Sequence, residues 1–241
     1  MLLQCILGSI LLLPNFNLQS AKGPDTSGEK YRYSRVAGDK HVPECTFHIK
    51  RTKKGWSITS VTQRGQARMT VFSGYDADGQ LHTAKAVYTK GKAVQPTRVD
   101  IKNGKAIIWG KEKIIAEFAV PKGTIVTSAP DWTDTFMLCR LYDRKRQGKQ
   151  EFPALWIHPT KKPLRLTFSI ERKDSVFIEH KSKKMKLGRY AIRIRNNSAY
   201  VAWADENGRM IRLIPAGAKS ATAGLTLQGF EGSVGKLKVT R

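Results

Sequence analysis

Short runs in which apolar and polar residues alternate, separated by turn residues, fill most of the chain from residue 31 to residue 214. Successive side chains of a β-strand point to opposite faces, so this period of two predicts half-buried strands. Asn-Gly pairs at 103–104 and 207–208 lie between apolar runs and predict tight hairpin turns. The expected strands lie at 31–36, 45–50, 56–62, 69–75, 81–88, 99–101, 106–109, 152–157, 164–170, 176–179, 189–195, 200–203 and 210–214.

The segment between residues 130 and 142 has helical rather than alternating spacing. Trp132, Phe136 and Cys139 recur at intervals of three or four, acidic residues begin the segment and basic residues follow it. Asp131 or Thr133 can cap its first turn. We therefore predict a mainly β fold, a curved antiparallel sheet or half-open barrel, with one main helix packed on it.

The first 21 residues carry no charge, and an apolar run from Leu2 to Leu13 lies within them. This run is too short to span a bilayer but is typical of a secretory signal peptide. The abrupt change after Ala21 to Lys-Gly-Pro-Asp favours cleavage there over a buried N-terminal strand. We expect a signal peptide at 1–21, a single β-rich domain at 22–214 and a partly ordered C-terminal tail at 215–241. The mature chain would be exported, to the periplasm or the extracellular space, and would have no transmembrane segment.

Two cysteines, Cys45 and Cys139, remain after removal of the signal peptide. In an oxidising compartment they can form a disulfide that closes a long loop, which contributes about 3–5 kcal/mol to stability. The sequence equally allows two separately buried thiols, so both alternatives stay open.

Positive charge is the most prominent chemical feature of the chain. Lys and Arg number 43 against 19 Asp and Glu, a formal net charge of +24. The basic runs are typical of a solvated basic surface, which we favour; the functional alternative is an anionic partner, namely a cell-envelope polymer or a lipid surface. Aromatic residues are not interleaved with these runs, which disfavours nucleic acid. The candidate anion-binding patch comprises Lys50, Arg51, Lys53, Lys54, Lys181, Lys183, Lys184 and Lys186.

Motifs for catalysis or metal binding are weak. His41, Cys45 and His48 are close in sequence, but Cys45 and His48 would point to opposite faces of a strand. The turn at 76–79 lacks the further oxygen ligands of a calcium loop. The sequence has no Gly-x-Ser-x-Gly motif, and neither mature cysteine lies in a known nucleophile signature. We expect a protein that is not an enzyme, with no metal and no cofactor.

A resemblance rests on the helical stretch at 130–142, the strand at 188–195 and the stretch at 200–213, which contains Trp203 and Asp205. These elements resemble uncharacterised bacterial exported β-rich proteins that are distantly similar to periplasmic lipoprotein carriers, over roughly residues 29–214. The resemblance implies a half-open sheet covered by helix, with a hydrophobic groove for acyl chains. The chain departs from the carriers in its single obvious helix and its strong basicity.

Two hypotheses follow for function. In the first, the chain is a binding protein that holds an apolar or amphipathic ligand in a groove of the curved sheet, covered by Trp132, Phe136 and Leu141. In the second, it is an interaction module that binds anionic envelope polymers or lipid surfaces through its basic runs.

Overall fold

The computed structural model describes residues 28–37, 40–53, 55–110, 113–128, 132–195, 197–218, 224–234 and 237. The predicted signal peptide lies outside these residues. Within them the chain forms fifteen strands and two helices: β1 Glu29–Ala37, β2 Lys40–Thr52, β3 Gly55–Arg64, β4 Ala67–Asp76, β5 Leu81–Lys90, β6 Ala93–Lys102, β7 Lys105–Gly110, β8 Lys113–Ala119, β9 Ile125–Thr127, α1 Thr133–Leu141, β10 Lys149–His158, β11 Lys161–His180, β12 Lys183–Ile194, β13 Asn197–Ala204, β14 Met210–Pro215, β15 Leu225–Leu227 and α2 Glu231–Val234.

The fold class predicted from the alternating pattern is confirmed, because the described residues form one large, curved, unclosed sheet with one main helix. The alternation of apolar and polar residues predicts these strands correctly because most of them bury only one face. In β3, for example, Ile58, Ser60 and Thr62 are buried while the residues between them are partly exposed.

All fifteen described strands belong to one sheet, in the order β8-β7-β6-β5-β4-β3-β2-β1-β15-β14-β13-β12-β11-β10-β9. Neighbouring strands run antiparallel, except that β9 and β10 are parallel. The strand β15 comes from the C-terminal segment and lies between β1 and β14, where it joins the two halves of the sheet. The end strands β8 and β9 are consecutive in the chain but do not pair with each other, so the sheet bends back on itself without closing.

The bend divides the buried apolar side chains into two clusters. One cluster surrounds α1 and includes Phe136 and Tyr33. In the other, Met69 and Val71 of β4 belong with Leu155 of β10, although the two strands are far apart in the sheet order. The second cluster therefore forms where one half of the sheet packs on the other half.

The two Asn-Gly pairs form different turns. Asn103 and Gly104 both have positive φ, 49° and 69°, as a two-residue type I′ turn between β6 and β7 requires. Between β13 and β14 the positive φ belongs to Gly208, and the Asp205 carboxylate accepts hydrogen bonds from the N–H groups of Asn207 and Arg209. The second hairpin exists as predicted, but Asp205 organises a longer turn.

The helix α1 is buried at every residue from Thr133 to Cys139, so it has no exposed face over its first two turns. Its N-cap residue, Trp132, makes no side-chain capping bond, and the Thr133 hydroxyl instead donates to Ser60 Oγ of β3 at 2.7 Å. Neither described helix is long and apolar enough to cross a membrane.

The segment after residue 214, predicted to be a partly ordered tail, contains β15 and α2 in its described part. The Phe230 ring stacks on His180 of β11 with 3.9 Å between ring centroids, and Ser233 hydrogen-bonds to His180 Nδ1 at 3.0 Å. This segment therefore packs against the outer part of the β11–β12 hairpin.

Candidate anion-binding surface

Phe136, predicted to cover a ligand groove, is fully buried between α1 and the sheet. Its ring stacks on Phe47 of β2 with 4.4 Å between centroids and an interplanar angle of 5°. Tyr31 and Tyr33 of β1 pack their rings against the same side chain. Aromatic side chains thus fill the space beside Phe136.

Trp132, the second predicted groove residue, lies at the start of α1 beside a buried carboxylate. Its indole N–H donates to Glu44 Oε1 at 3.2 Å, and the side chain of Glu44 is only 1% exposed. Arg64 donates to the same oxygen at 2.5 Å, while Arg35 Nε forms an ion pair with Oε2 at 2.8 Å. The guanidinium of Arg64 also lies over the Trp132 ring. Glu44 therefore connects β1, β3 and the start of the helix.

Replacing Glu44 with glutamine is expected to lower the free energy of unfolding by about 1–3 kcal/mol. The amide keeps one acceptor oxygen but loses the charge that holds Arg35 and Arg64, and both arginines are partly solvated, which limits the cost. Urea denaturation measures the change. The matched control is Glu151→Gln, which removes an exposed carboxylate paired with Lys149 and is expected to change stability by less than about 0.5 kcal/mol. Equal effects of the two substitutions would contradict a structural role for Glu44.

Leu141, the third predicted groove residue, borders a small cavity between α1 and the sheet. Trp56 and Tyr75 stack at 4.2 Å on another wall of this cavity, and Met137 of α1 also lines it. The cavity has a volume of about 10 Å³, which is room for roughly one water molecule. Of the three predicted groove residues, only Leu141 borders this cavity, and the groove stays a prediction.

The C-terminal end of α1 is attached to β1 through a second ionic cluster. Arg140 donates to Glu29 Oε2 at 2.5 Å and to Tyr31 Oη at 2.6 Å, and Tyr31 donates to Glu29 at 2.7 Å. Burial opposes ionisation of Glu29, but the Tyr31 hydrogen bond and the Arg140 charge outweigh it and lower the pKa of this carboxyl. Burial and the Glu29 carboxylate outweigh Arg140 at Tyr31 and raise the pKa of the phenol to about 12.

Cys45 and Cys139 are both buried thiols in the cluster around α1, with no disulfide between them. Cys45 pairs across the sheet with Tyr33, and the thiol of Cys139 lies near enough to Tyr33 to influence its ionisation. Burial raises the pKa of Cys139 to about 12. A thiol with so high a pKa is a poor nucleophile, so its burial gives Cys139 a packing role.

The predicted anion-binding patch divides between two hairpin ends. Lys50, Arg51 and Lys53 are exposed around the β2–β3 turn, while Lys54 lies outside the described residues. Lys181, Lys183, Lys184 and Lys186 are exposed at the β11–β12 turn and along the start of β12. The pairing of neighbouring strands can be followed across the sheet from β2 to β11. It places the β2–β3 turn and the β11–β12 turn at the same end of the sheet.

The outer part of the β11–β12 hairpin, residues 175–187 (the basic hairpin), has two different faces. On one face Ile178 and Leu187 are buried, and His180 contacts the C-terminal segment. On the other face Phe177 is 59% exposed and lies directly opposite Lys186. Strand alternation thus separates a packed face from a solvent face.

The solvent face of the basic hairpin combines an exposed aromatic ring with ammonium groups. Lys184 Nζ lies over the Phe177 ring, 4.6 Å from its centroid. Among the described carboxylates, none forms an ion pair with Lys181, Lys183, Lys184 or Lys186. Sequence reasoning found the lysines but missed Phe177, because it treated residues 164–170 and 176–179 as separate short strands. The signal that could have revealed it is the lack of a glycine or proline between the two runs, which allows one long strand.

Comparisons with known proteins find no matching family model and no matching curated protein. A search of solved structures finds a crystal structure of a DUF1089 family protein from Pseudomonas aeruginosa. It is 19% identical, covers 73% of this chain and 92% of that chain, and has a TM-score of 0.45. The neighbour is distant and belongs to an uncharacterised family, and the resemblance to lipoprotein carriers stays a prediction.

Proposed function

We propose that the chain is an exported, non-enzymatic protein that binds anionic lipid surfaces through the basic hairpin. The observation that carries the proposal is the solvent face of this hairpin, where Phe177 is 59% exposed beside Lys184 and Lys186. Lys50, Arg51 and Lys53 lie at the same end of the sheet and add positive charge there.

Each part of this face has a role at a membrane. Lysines near an anionic bilayer are attracted by its negative surface potential, and the attraction falls off within a Debye length. An exposed aromatic ring gains free energy when it leaves water for the acyl boundary, as in other proteins that lie on membranes. The long, paired strands of the hairpin hold the ring and the ammonium groups on one rigid surface.

The exposed ring of Phe177 supports a lipid surface, rather than an anionic polymer, as the partner. A polymer of charged sugars or phosphates offers the lysines counter-charges but offers the ring no apolar medium. The cavity beside Leu141, at about 10 Å³, is too small for an acyl chain. This argues for a lipid-binding site at the basic hairpin and against one under α1.

Vesicle co-sedimentation tests the proposal with the mature protein. We expect binding to vesicles of phosphatidylcholine with phosphatidylglycerol, weak binding to phosphatidylcholine alone, and a steep loss of binding between low salt and about 1 M salt. The K183Q/K184Q/K186Q variant is expected to bind the anionic vesicles at least about tenfold more weakly. Phe177→Ala is expected to weaken binding several-fold without changing its salt dependence.

The matched control is K92Q/K161Q/K162Q, which removes three exposed lysines outside the basic hairpin. It is expected to bind within about twofold of the unmodified protein, apart from the small effect of net charge. Equal losses in the two triple variants would overturn the assignment to the hairpin. Binding to dextran sulfate that Phe177→Ala leaves unchanged, without binding to vesicles, would replace the lipid surface by an anionic polymer.

A further inference from the structure

An open cleft lies where the connection between β8 and β9 passes strands β10 and β11. Its volume is about 410 Å³, within the range of about 300–1,000 Å³ that is usual for small-molecule sites. Ala119 of β8, Pro121 of the connection and Pro153 of β10 contribute apolar surface. This cleft is much larger than the cavity beside Leu141 and lies outside the predicted groove.

Two arginines supply positive charge to the same cleft. Arg165 lies on β11, and Arg195 follows the last residue of β12; both side chains are exposed. The N–H of Arg195 donates to the carbonyl of Thr167 at 3.1 Å, and its Nη2 lies 3.5 Å from the carbonyl oxygen of Arg165. These contacts hold Arg195 against β11, beside Arg165.

The guanidinium charges of the cleft are not neutralised by nearby acids within the described part of the chain, where neither Arg165 nor Arg195 forms an ion pair. Guanidinium groups match carboxylate and phosphate oxygens in geometry and are weakly hydrated, so they bind such anions well. An apolar surface beside two unneutralised guanidinium groups is complementary to a molecule with an acidic head and an apolar body.

We propose that this cleft binds a small amphipathic anion, with its acidic head at Arg165 and Arg195 and its apolar body against Pro121 and Pro153. The site is distinct from the basic hairpin. Lys183 begins β12 and Arg195 follows its last residue, so the length of the strand separates them by roughly 40 Å at about 3.3 Å per residue. The proposal therefore does not depend on membrane binding.

Titration calorimetry with decyl phosphate, kept below its micelle concentration, tests the site in the mature protein. We expect saturable binding of decyl phosphate. Inorganic phosphate, which lacks the apolar chain, and decanol, which lacks the acidic head, should each bind at least about tenfold more weakly. The R165Q/R195Q variant is expected to bind decyl phosphate at least about tenfold more weakly, with decanol binding unchanged. K161Q/K162Q removes the same charge from exposed positions of β11 outside the cleft and is expected to bind normally.

A second variant tests the cleft without changing either arginine. Ala119 is exposed at the edge of the cleft, so Ala119→Trp places a large ring over the apolar surface. We expect it to block decyl phosphate while the melting temperature stays unchanged. Equal affinities of R165Q/R195Q and K161Q/K162Q, or no saturable binding up to about 1 mM decyl phosphate, would overturn the proposal.

Discussion

Replacing Phe136 with alanine is expected to lower the free energy of unfolding by about 3–5 kcal/mol. The ring is fully buried, stacks on Phe47 and contacts two tyrosine rings of β1, so its removal leaves a cavity that these neighbours cannot easily fill. α1 has only nine residues, and a helix of that length depends on tertiary packing for its stability. Denaturant unfolding followed by tryptophan fluorescence measures the loss.

The control for Phe136→Ala is Phe177→Ala, which removes the same ring from a site that is 59% exposed. We expect this second change to alter the free energy of unfolding by less than about 0.5 kcal/mol, since little packing is lost. If both substitutions destabilised the protein equally, the packing of α1 on β1 and β2 would be contradicted. If neither did, Phe136 would have to be solvated, as a covering residue of an open groove would be.

Replacing Gly208 with alanine is expected to cost about 2–4 kcal/mol of stability. Gly208 has φ +74°, a conformation that side chains with a Cβ adopt at a cost of about 1–2 kcal/mol. A methyl group there would also lie 2.6 Å from the carbonyl oxygen of Cys139 and 2.8 Å from Cα of Arg140. The β13–β14 turn would therefore have to move away from the end of α1. Thermal and urea unfolding measure the combined cost.

The Gly104→Ala variant separates the cost of the positive φ from the cost of the close contact. Gly104 has a similar φ, +69°, but a methyl group at this position meets no atom within 4 Å. We expect it to lose only the backbone contribution, about 1–2 kcal/mol. The difference between the two variants then measures the close contact of the turn with the helix. A difference near zero would show that this contact is loose.

Local periodicity explains most of what could be predicted about the fold. A strand such as β3 buries one face, so the alternation of apolar residues encodes it. The helix α1 was predictable from the helical spacing of Trp132, Phe136 and Cys139, although all residues from Thr133 to Cys139 are buried. The Asn103-Gly104 turn was also predictable, because its two residues suit positive φ.

Features that depend on distant parts of the chain could not be predicted in this way. β15 has only three residues, and its place between β1 and β14 is fixed by their open edges and not by its own sequence. The burial of Glu44 depends on arginines from β1 and β3 and on the first turn of α1.

The two candidate binding sites also depend on contacts between distant parts of the chain, so the sequence pattern alone could not predict them. Runs of lysine were visible in the sequence, but the neighbourhood of Phe177 became clear only with the register of β11 on β12. Arg165 and Arg195 are thirty positions apart and belong to no motif, and the bend of the sheet brings the β8–β9 connection to them.

The position of β15 also constrains the order in which the molecule can assemble. β1 belongs to the first described part of the chain, yet Arg35 finds its partner Leu225 only after the strands β2 to β14 have been synthesised. Contacts between such distant residues form slowly, since a large loop must close first. During that delay β1 and β14 expose unpaired backbone groups that can recruit strands from other chains. Pairing of β15 with β1 and β14 removes these exposed edges.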